Sequence, residues 1–382
     1  MKVGLLYPRS NAHPELMTDF INGLKVALKD PLNGQIQLIT ESIGFGGNEK
    51  EVYDKTEKLL LVEGAELLIA FVDLRILEML QPLLIQSGKL TIIVNSGANY
   101  PVNRTPTPNI VHLSLQHAFM CWLTGIEAAT QDQKNSAVAT TFYDGGYLHM
   151  AAMVNGFEKA GGIITYNYVN NNRYDADFSI NPLTDYLMSD KNTNTLLCIF
   201  DSTPASLFYS RLNEYSKNNN LHLFVSPMML EQEALKKMND GFNFSINGYI
   251  PWHPSIETNA THDFKEIIQE QTNKTATVFS LLGWETGLIL QEVLSMNNVP
   301  HNDGLLLVTQ LLKCKINSPR GGLIMDLKTN YFVAPVYKCS IPFNSTDLSF
   351  NEVQQYENEW ADFVQLPTEG IVSGWTNTYL CY

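Results

Sequence analysis

The chain has 382 residues, 45% of them hydrophobic, with 25 Lys and Arg against 39 Asp and Glu, for a net charge of −14. That length exceeds what one hydrophobic core fills and predicts two domains. The acidic surplus, offset by no basic cluster, opposes attraction to nucleic acid or anionic lipid, and apolar runs such as Leu59 to Val62 fall far short of the roughly 20 residues of a membrane span.

Taken in order, apolar strand-like runs alternate with amphipathic stretches. "KVGLLYP" precedes a predicted helix from Pro14 to Leu28, and "QIQLITES" one from Glu49 to Glu63. "AELLIAFV" precedes a helix from Leu74 to Gln86, and "LTIIVNS" follows it. Continuous rather than alternating hydrophobic strands, each followed by a helix, predict a parallel sheet covered on both faces. The Pro-, Asn- and Thr-rich "SGANYPVNRTPTPNIVHLSLQ" breaks the pattern and reads as a segment crossing between domains.

The alternation then restarts with a helix from His117 to Thr130, followed by "SAVATTF", "GIITYNYV", "TLLCIF" and "LHLFVSP" with helices between them. Two further helices, His262 to Thr272 and Val278 to Ser295, follow "FSINGYIPWHPSIETNAT". "GGLIMDLKTNYFVAPVYKCSIP" reads as a hairpin whose turn spans Asp326 to Asn330. Five scattered cysteines, Cys121, Cys198, Cys314, Cys339 and Cys381, suit neither a disulfide framework nor a zinc site. Cys121 and Cys198 read as small core residues, and a bridge between Cys339 and Cys381 stays open.

One string occurs almost twice. "INGLKVA" (Ile21 to Ala27) returns as "VNGFEKA" (Val154 to Ala160), each time in the helix after the first strand of a run. The repeat predicts two lobes of similar plan. The glycine is expected to let each helix lie close to its sheet, with Leu24, Phe157 and the alanine three residues later facing the core.

This order of elements resembles the type I periplasmic solute-binding proteins, in particular the leucine/isoleucine/valine-binding branch. The resemblance rests on "KVGLLYPRS" with "NGLKVAL", "EKLLLVEGAELLIAFV", "PLLIQSGKLTIIVNSGA", "YDGGYLHMAAMVNGFEKAGG", "DADFS" and the helix containing Trp284, and covers Lys2 to Pro342. It implies an α/β clamshell of two doubly wound parallel-sheet lobes joined by a three-segment hinge. Lobe 1 would comprise 1–116 and 256–325. Lobe 2 would comprise 117–255 and 326–382, including a C-terminal extension beyond the resemblance.

The resemblance also implies ligand contacts at the strand ends: Arg9 and Ser10 after the first strand, Leu74 and Arg75 after the third, Ser96 and Ala98 after the fourth. In the second lobe it implies Tyr147, Ser202 and Met228, with Trp252 either at the ligand or in hinge packing. Asp73 reads first as a helix cap, Asp144 as part of a turn, Asp201 as a cap or a cleft carboxylate, and His13 as exposed. Where amino-acid-binding relatives place an acid for the ligand ammonium, this chain has Met228. A buried ammonium without a counter-charge is costly, so either Asp201 or Asp73 takes the acid's place or the ligand is not an α-amino acid, in which case Met228, Met229 and Trp252 suit an apolar or aromatic body.

No glycine-rich phosphate loop, H-E-x-x-H, G-x-S-x-G or Cys-x-x-Cys occurs, so an enzyme is not expected, and neither is a cofactor or metal. The expected function is that of an extracytoplasmic receptor of an ABC importer, monomeric, binding a small organic solute, an amino acid or related compound with an apolar or aromatic part, between two closing lobes and meeting a permease. The alternative is a sensor domain with the same clamshell. The first strand starts at Lys2, which suits either a mature, leader-free extracytoplasmic form or a cytoplasmic protein.

Overall fold

The computed structural model describes residues 1–29, 35–100, 106–130, 134–171, 177–190, 192–216, 220–235, 241–296, 299–353 and 357–367. The buried apolar runs form β1 (Lys2–Tyr7), β2 (Gln37–Ser42), β3 (Leu67–Phe71), β4 (Leu90–Asn95) and β5 (Ile110–Ser114). Between them stand α1 (Leu16–Ala27), α2 (Glu49–Glu57) and α3 (Leu74–Ser87). β3 and β4 are buried at every position, as strands covered on both faces must be. The α3 helix stops at Gly88, whose φ of 65° takes the left-handed conformation that ends a helix at no steric cost.

The second run begins with α4 (His117–Ala128) and continues β6 (Asn135–Thr141), α5 (Leu148–Lys159), β7 (Ile163–Asn170), α6 (Asn181–Ser189) and β8 (Thr195–Ile199). It closes with α7 (Ser202–Tyr215), β9 (His222–Val225), α8 (Gln232–Leu235) and β10 (Ser245–Ile250). The chain then returns to the first lobe as α9 (Asn259–Thr272), α10 (Val278–Ser295), α11 (Gly304–Leu311), β11 (Lys315–Ser318), β12 (Gly321–Met325) and β13 (Tyr331–Val333). It ends as β14 (Val336–Ile341), β15 (Ser349–Val353) and α12 (Glu357–Phe363).

Among the described residues one sheet runs β2-β1-β3-β4-β5-β13-β12-β11 and the other β7-β6-β8-β9-β10-β14-β15. Both thus share a 2-1-3-4-5 parallel core, the doubly wound order that opens a crevice beside its first strand. The chain changes sheets after β5, after β10 and between Val333 and Val336. The predicted hairpin forms, with Ile324 opposite Val333, but its second arm splits: β13 stays beside β5, and β14 pairs antiparallel with β10. The boundary expected at 325 therefore falls inside a hairpin of the first sheet. The expected crossing segment contains a strand, because the short buried run "IVHLS" aligns Ile110 with Thr91 of β4 as β5.

The repeated Asn-Gly motif has a different reason from the one expected. A Cβ on Gly23 would lie 2.0 Å from the Ser280 carbonyl oxygen of α10, and one on Gly283 would lie 1.9 Å from that of Phe20 in α1. In the second lobe a Cβ on Gly156 would meet the Trp122 carbonyl at 2.2 Å, and one on Gly125 that of Met153 at 2.0 Å. The glycines therefore bring helix onto helix, not helix onto sheet, in two similar pairs, α1 with α10 and α4 with α5. Leu24, Ala27 and Phe157 are buried as expected, while Ala160 is half-buried.

The C-terminal extension packs on the body. Phe363 meets Phe119 at 5.3 Å and Tyr100 at 5.3 Å, and the Trp360 indole nitrogen donates to Asp326 at 3.3 Å. Tyr100 and Asp326 belong to the first lobe and Phe119 to the second, so α12 straps the two together. Cys121, Cys198 and Cys339 are buried thiols; Cys381 lies outside the described residues.

Candidate functional site

The loops following β1 and β4 meet those following β6 and β8, which places the carboxyl ends of both sheets face to face. In the first loop Ser10 Oγ accepts the His13 amide at 3.0 Å. His13, expected to be exposed, instead crosses the interface: its Nε2 lies 3.2 Å from Asp201 Oδ2, with the ring edge-on to Phe279 at 5.4 Å. Asp201 is held in turn by its amide, which donates to Asp144 Oδ2 at 3.2 Å, while Thr141 Oγ1 donates to the same oxygen at 2.7 Å. Asp144 thus serves the turn after β6.

Burial alone would lower the His13 pKa, but Asp201, with Glu231 and Glu15, more than offsets it, so the pKa is raised above the ordinary histidine value. A raised pKa means that protonated His13 favours the closed contact. That contribution is complete below pH about 6.5 and is lost as pH rises through the raised value. Lobe separation measured by small-angle scattering should therefore grow across this window, and Asp201→Asn should flatten the pH response. An unchanged response in that variant would remove the latch from the account.

Asp73 caps α3, its Oδ1 accepting the Leu74 amide at 2.7 Å and its Oδ2 the Asn99 side chain. Burial pushes its pKa up to about 7, against the lowering effect of those two bonds. Leu74 is half-buried in the first turn of α3. Arg9 and Arg75 are both exposed, Arg75 standing 3.9 Å from Glu49 on the surface. Neither cation is buried between the lobes.

Ser96 and Ala98 are buried where the lobes touch. Ala98 packs on Tyr147, and Tyr147 stacks on His149 with centroids 5.5 Å apart. The Ser96 and Gly97 carbonyls accept the amides of His117 (3.1 Å) and Ala118 (2.8 Å), so a loop of one lobe caps the first turn of a helix in the other. Met228 sits in a 3₁₀ turn (Pro227–Leu230) as a core residue, 1% exposed. Ser202 opens α7, but its side chain lies outside the described part of the structure. The Trp252 indole donates to Thr261 Oγ1 at 3.2 Å and meets Phe264 edge-on at 5.6 Å, as hinge packing requires.

A cavity of about 710 Å³ opens between the lobes. Ala12 to Glu15 and Lys274 to Phe279 line it from the first lobe, Thr203, Ser206 and Glu231 to Glu233 from the second, and Trp252 to Pro254 from the hinge. Of the residues expected at a ligand, Trp252 lines this cavity, whereas Ala98 and Tyr147, with Ser96, gather at a contact between the lobes instead.

Several polar residues at this junction were not singled out from the sequence. Gln116, His117, His149, Glu285 and Arg320 are at most 3% exposed. Burial lowers the pKa of His149 to about 3. The same holds for His117, where neighbouring His149 and Arg320 add to it. Arg320 grips Glu285 through Nε at 2.7 Å and Nη2 at 2.8 Å. The one available signal was the polar pair Gln116-His117 within an apolar stretch. Among the described residues no three His, Cys, Asp or Glu side chains converge as metal ligands, and no helix is long and apolar enough to cross a membrane.

Comparison with known proteins agrees with this fold. An ABC transporter substrate-binding protein from Sphaerobacter thermophilus superposes with a TM-score of 0.77 at 18% identity, over 93% of this chain and 97% of that one. A solute-binding protein of an ABC transporter from Rhodopseudomonas palustris, in complex with 3,4-dihydroxybenzoic acid, gives 0.73 at 16% over 92% and 96%. The substrate-binding protein LivJ from Streptococcus pneumoniae, in complex with isoleucine, gives 0.67 at 10% over 92% and 99%. No curated protein matches the sequence. The family described as periplasmic binding protein matches residues 1–342. With that match over most of its length and two doubly wound lobes facing each other across a cleft, the chain belongs to the periplasmic binding protein family, whose members are solute receptors rather than enzymes.

Proposed function

We propose that this protein captures a small organic solute with an apolar or aromatic part between its lobes and presents it to the permease of an ABC importer, working as an extracytoplasmic monomer. The observation that carries this reading is the cavity of about 710 Å³ walled by both lobes and the hinge, with Trp252 and Phe279 as its aromatic surfaces. Its volume lies within the range of small-molecule sites. Ser96, Ala98 and Tyr147, together with Ser10, Ser202 and Met228, are the proposed neighbours of the solute where the lobes meet. A solute touching both lobes favours the closed form by its differential contacts. The two benzoate- and isoleucine-type ligands of the structural neighbours support solutes of this size.

A thermal-shift panel of amino acids, aromatic acids, amides and small sugars, run on unfolded and refolded protein, tests the proposal. A solute at 100 times its Kd should stabilise the native state by about 2.7 kcal/mol. Ser96→Trp should abolish that gain by filling the contact between lobes. A flat panel from folded protein, or full binding by the variant, would count against the site. Association of the liganded protein with an ABC permease, rather than a signalling partner, distinguishes delivery from sensing.

A further inference from the structure

The junction between the lobes contains polar groups without partners but little charge without compensation. Gln116, the residue before α4, has left-handed backbone angles of φ 57° and ψ 37°, a strained conformation for a non-glycine residue. Its side chain is 3% exposed, and neither its carboxamide oxygen nor its nitrogen has a hydrogen-bond partner among the described residues. His149, in the first turn of α5, is 0% exposed with both ring nitrogens equally unsatisfied. The two flank one contact. A Cβ on Gly97 would lie 2.5 Å from the Gln116 amide nitrogen, Ala98 next to it packs on Tyr147, and Tyr147 stacks on His149.

The charges nearby are paired, with only the Arg320 Nη1 left without a hydrogen-bond partner among the described residues. The Arg320 guanidinium is spanned by both Glu285 oxygens, and Asp201 faces His13. His117 and His149 stay neutral at physiological pH, because burial holds both near 3. Met228 supplies no acid for an ammonium. At the mouth the carboxylates Glu15, Glu231 and Glu233 outnumber Lys274, which is itself bonded to Asp19 at 2.9 Å, and the carboxyl of Asp73 is buried. A charged group moved from water to the neutral Gln116 and His149 side chains would lose its hydration without gaining a counter-charge from either.

We propose that the solute's polar group is uncharged, an amide or hydroxyl bonded by the Gln116 carboxamide and the His149 imidazole, and that carboxylates, amines and zwitterions are rejected. Each of these side chains offers both a donor and an acceptor, as do an amide and an alcohol. A carboxylate accepts only, so it could take the Gln116 Nε2–H and the His149 N–H but would leave Gln116 Oε1 and the unprotonated His149 nitrogen buried without a donor. A site built around hydrogen bonds discriminates strongly, because the wrong ligand leaves buried groups unpaired. This inference rests on the reading of the protein as a solute receptor, and it selects among that receptor's solutes.

The test is calorimetric titration of the full, refolded chain at pH 7 with shape-matched probes: benzamide, benzoate and benzylamine, then 3-methylbutanamide, 3-methylbutanoate and 3-methylbutylamine. A wider panel of charged and uncharged solutes accompanies them. Binding should be confined to uncharged members. Gln116→Leu and His149→Phe should each weaken it at least tenfold, while the unliganded melting midpoint holds or rises, since the apolar side chains remove unpaired polar groups. Tight binding of a carboxylate, amine or zwitterion would overturn the inference and leave the receptor reading intact. Uncharged binding unaffected by both substitutions would overturn the assignment of Gln116 and His149. Absence of binding across the whole panel would remove the receptor reading and this inference together. A fall in midpoint in both variants without loss of affinity would mark the two residues as structural, and His149→Gln separates loss of the ring from loss of its hydrogen bonds.

Discussion

Glu285→Ala is expected to lower folding stability by about 3–5 kcal/mol, measured from the urea midpoint of the full chain. Glu285 and Arg320 are both 0% exposed, and Glu285 also accepts the Ser318 hydroxyl. The alanine would strand a guanidinium whose partner is gone in a region that water does not reach. The pair itself is not expected to be a large source of stability, because burying both ions costs hydration that their attraction only partly returns. The double variant Glu285→Met with Arg320→Met should therefore recover most of the loss. A single-variant loss below about 1 kcal/mol would show that the site relaxes or admits water, contrary to this account.

Gly283→Val should cost about 3 kcal/mol, and Gly156→Val a similar amount. At both positions the added side chain would meet a backbone carbonyl of a neighbouring helix, at 1.9 Å for Gly283 and 2.2 Å for Gly156, so no rotamer change relieves the clash. The helices would have to separate and surrender contact along their whole length. Gly47→Ala is the control: its Cβ would have nothing within 4 Å, and stability should change by less than about 0.5 kcal/mol. If the two valine variants prove as mild as the control, the close helix pairs do not hold the lobes in the way described.

The elements with strong local signals were legible in the chain. The span predicted for α10, Val278 to Ser295, is the span observed, because its start is marked by the capping box of Thr277 and Ser280 and its apolar positions are nearly continuous. β5 was hidden because five residues after a Pro- and Thr-rich loop carry too little periodicity to stand out, and its identity depends on pairing with β4. α11, β11 and β15 were missed for the same reason, being short or amphipathic elements that exist through their neighbours.

The site was less legible than the fold. Asp73 could be read as a helix cap because capping is local, between adjacent residues. His13 could not be placed, because its partner Asp201 stands 188 residues away on the other lobe. Gln116, His149 and Arg320 passed unnoticed for a similar reason: whether a polar side chain is satisfied depends on groups brought near it from distant parts of the chain.

By itself the sequence determined the alternation of strand and helix, the repeated plan of two lobes and the absence of any acid at Met228, since these follow from residue order and local preference. Tertiary structure alone decided that the repeated glycines join helix to helix, that α12 straps both lobes, and that Arg320 meets Glu285 while the Gln116 and His149 side chains have no hydrogen-bond partner among the described residues. The physical reason is range. Hydrophobic period and helix capping act over a few residues, whereas close packing and charge compensation act through space between groups that the sequence leaves far apart.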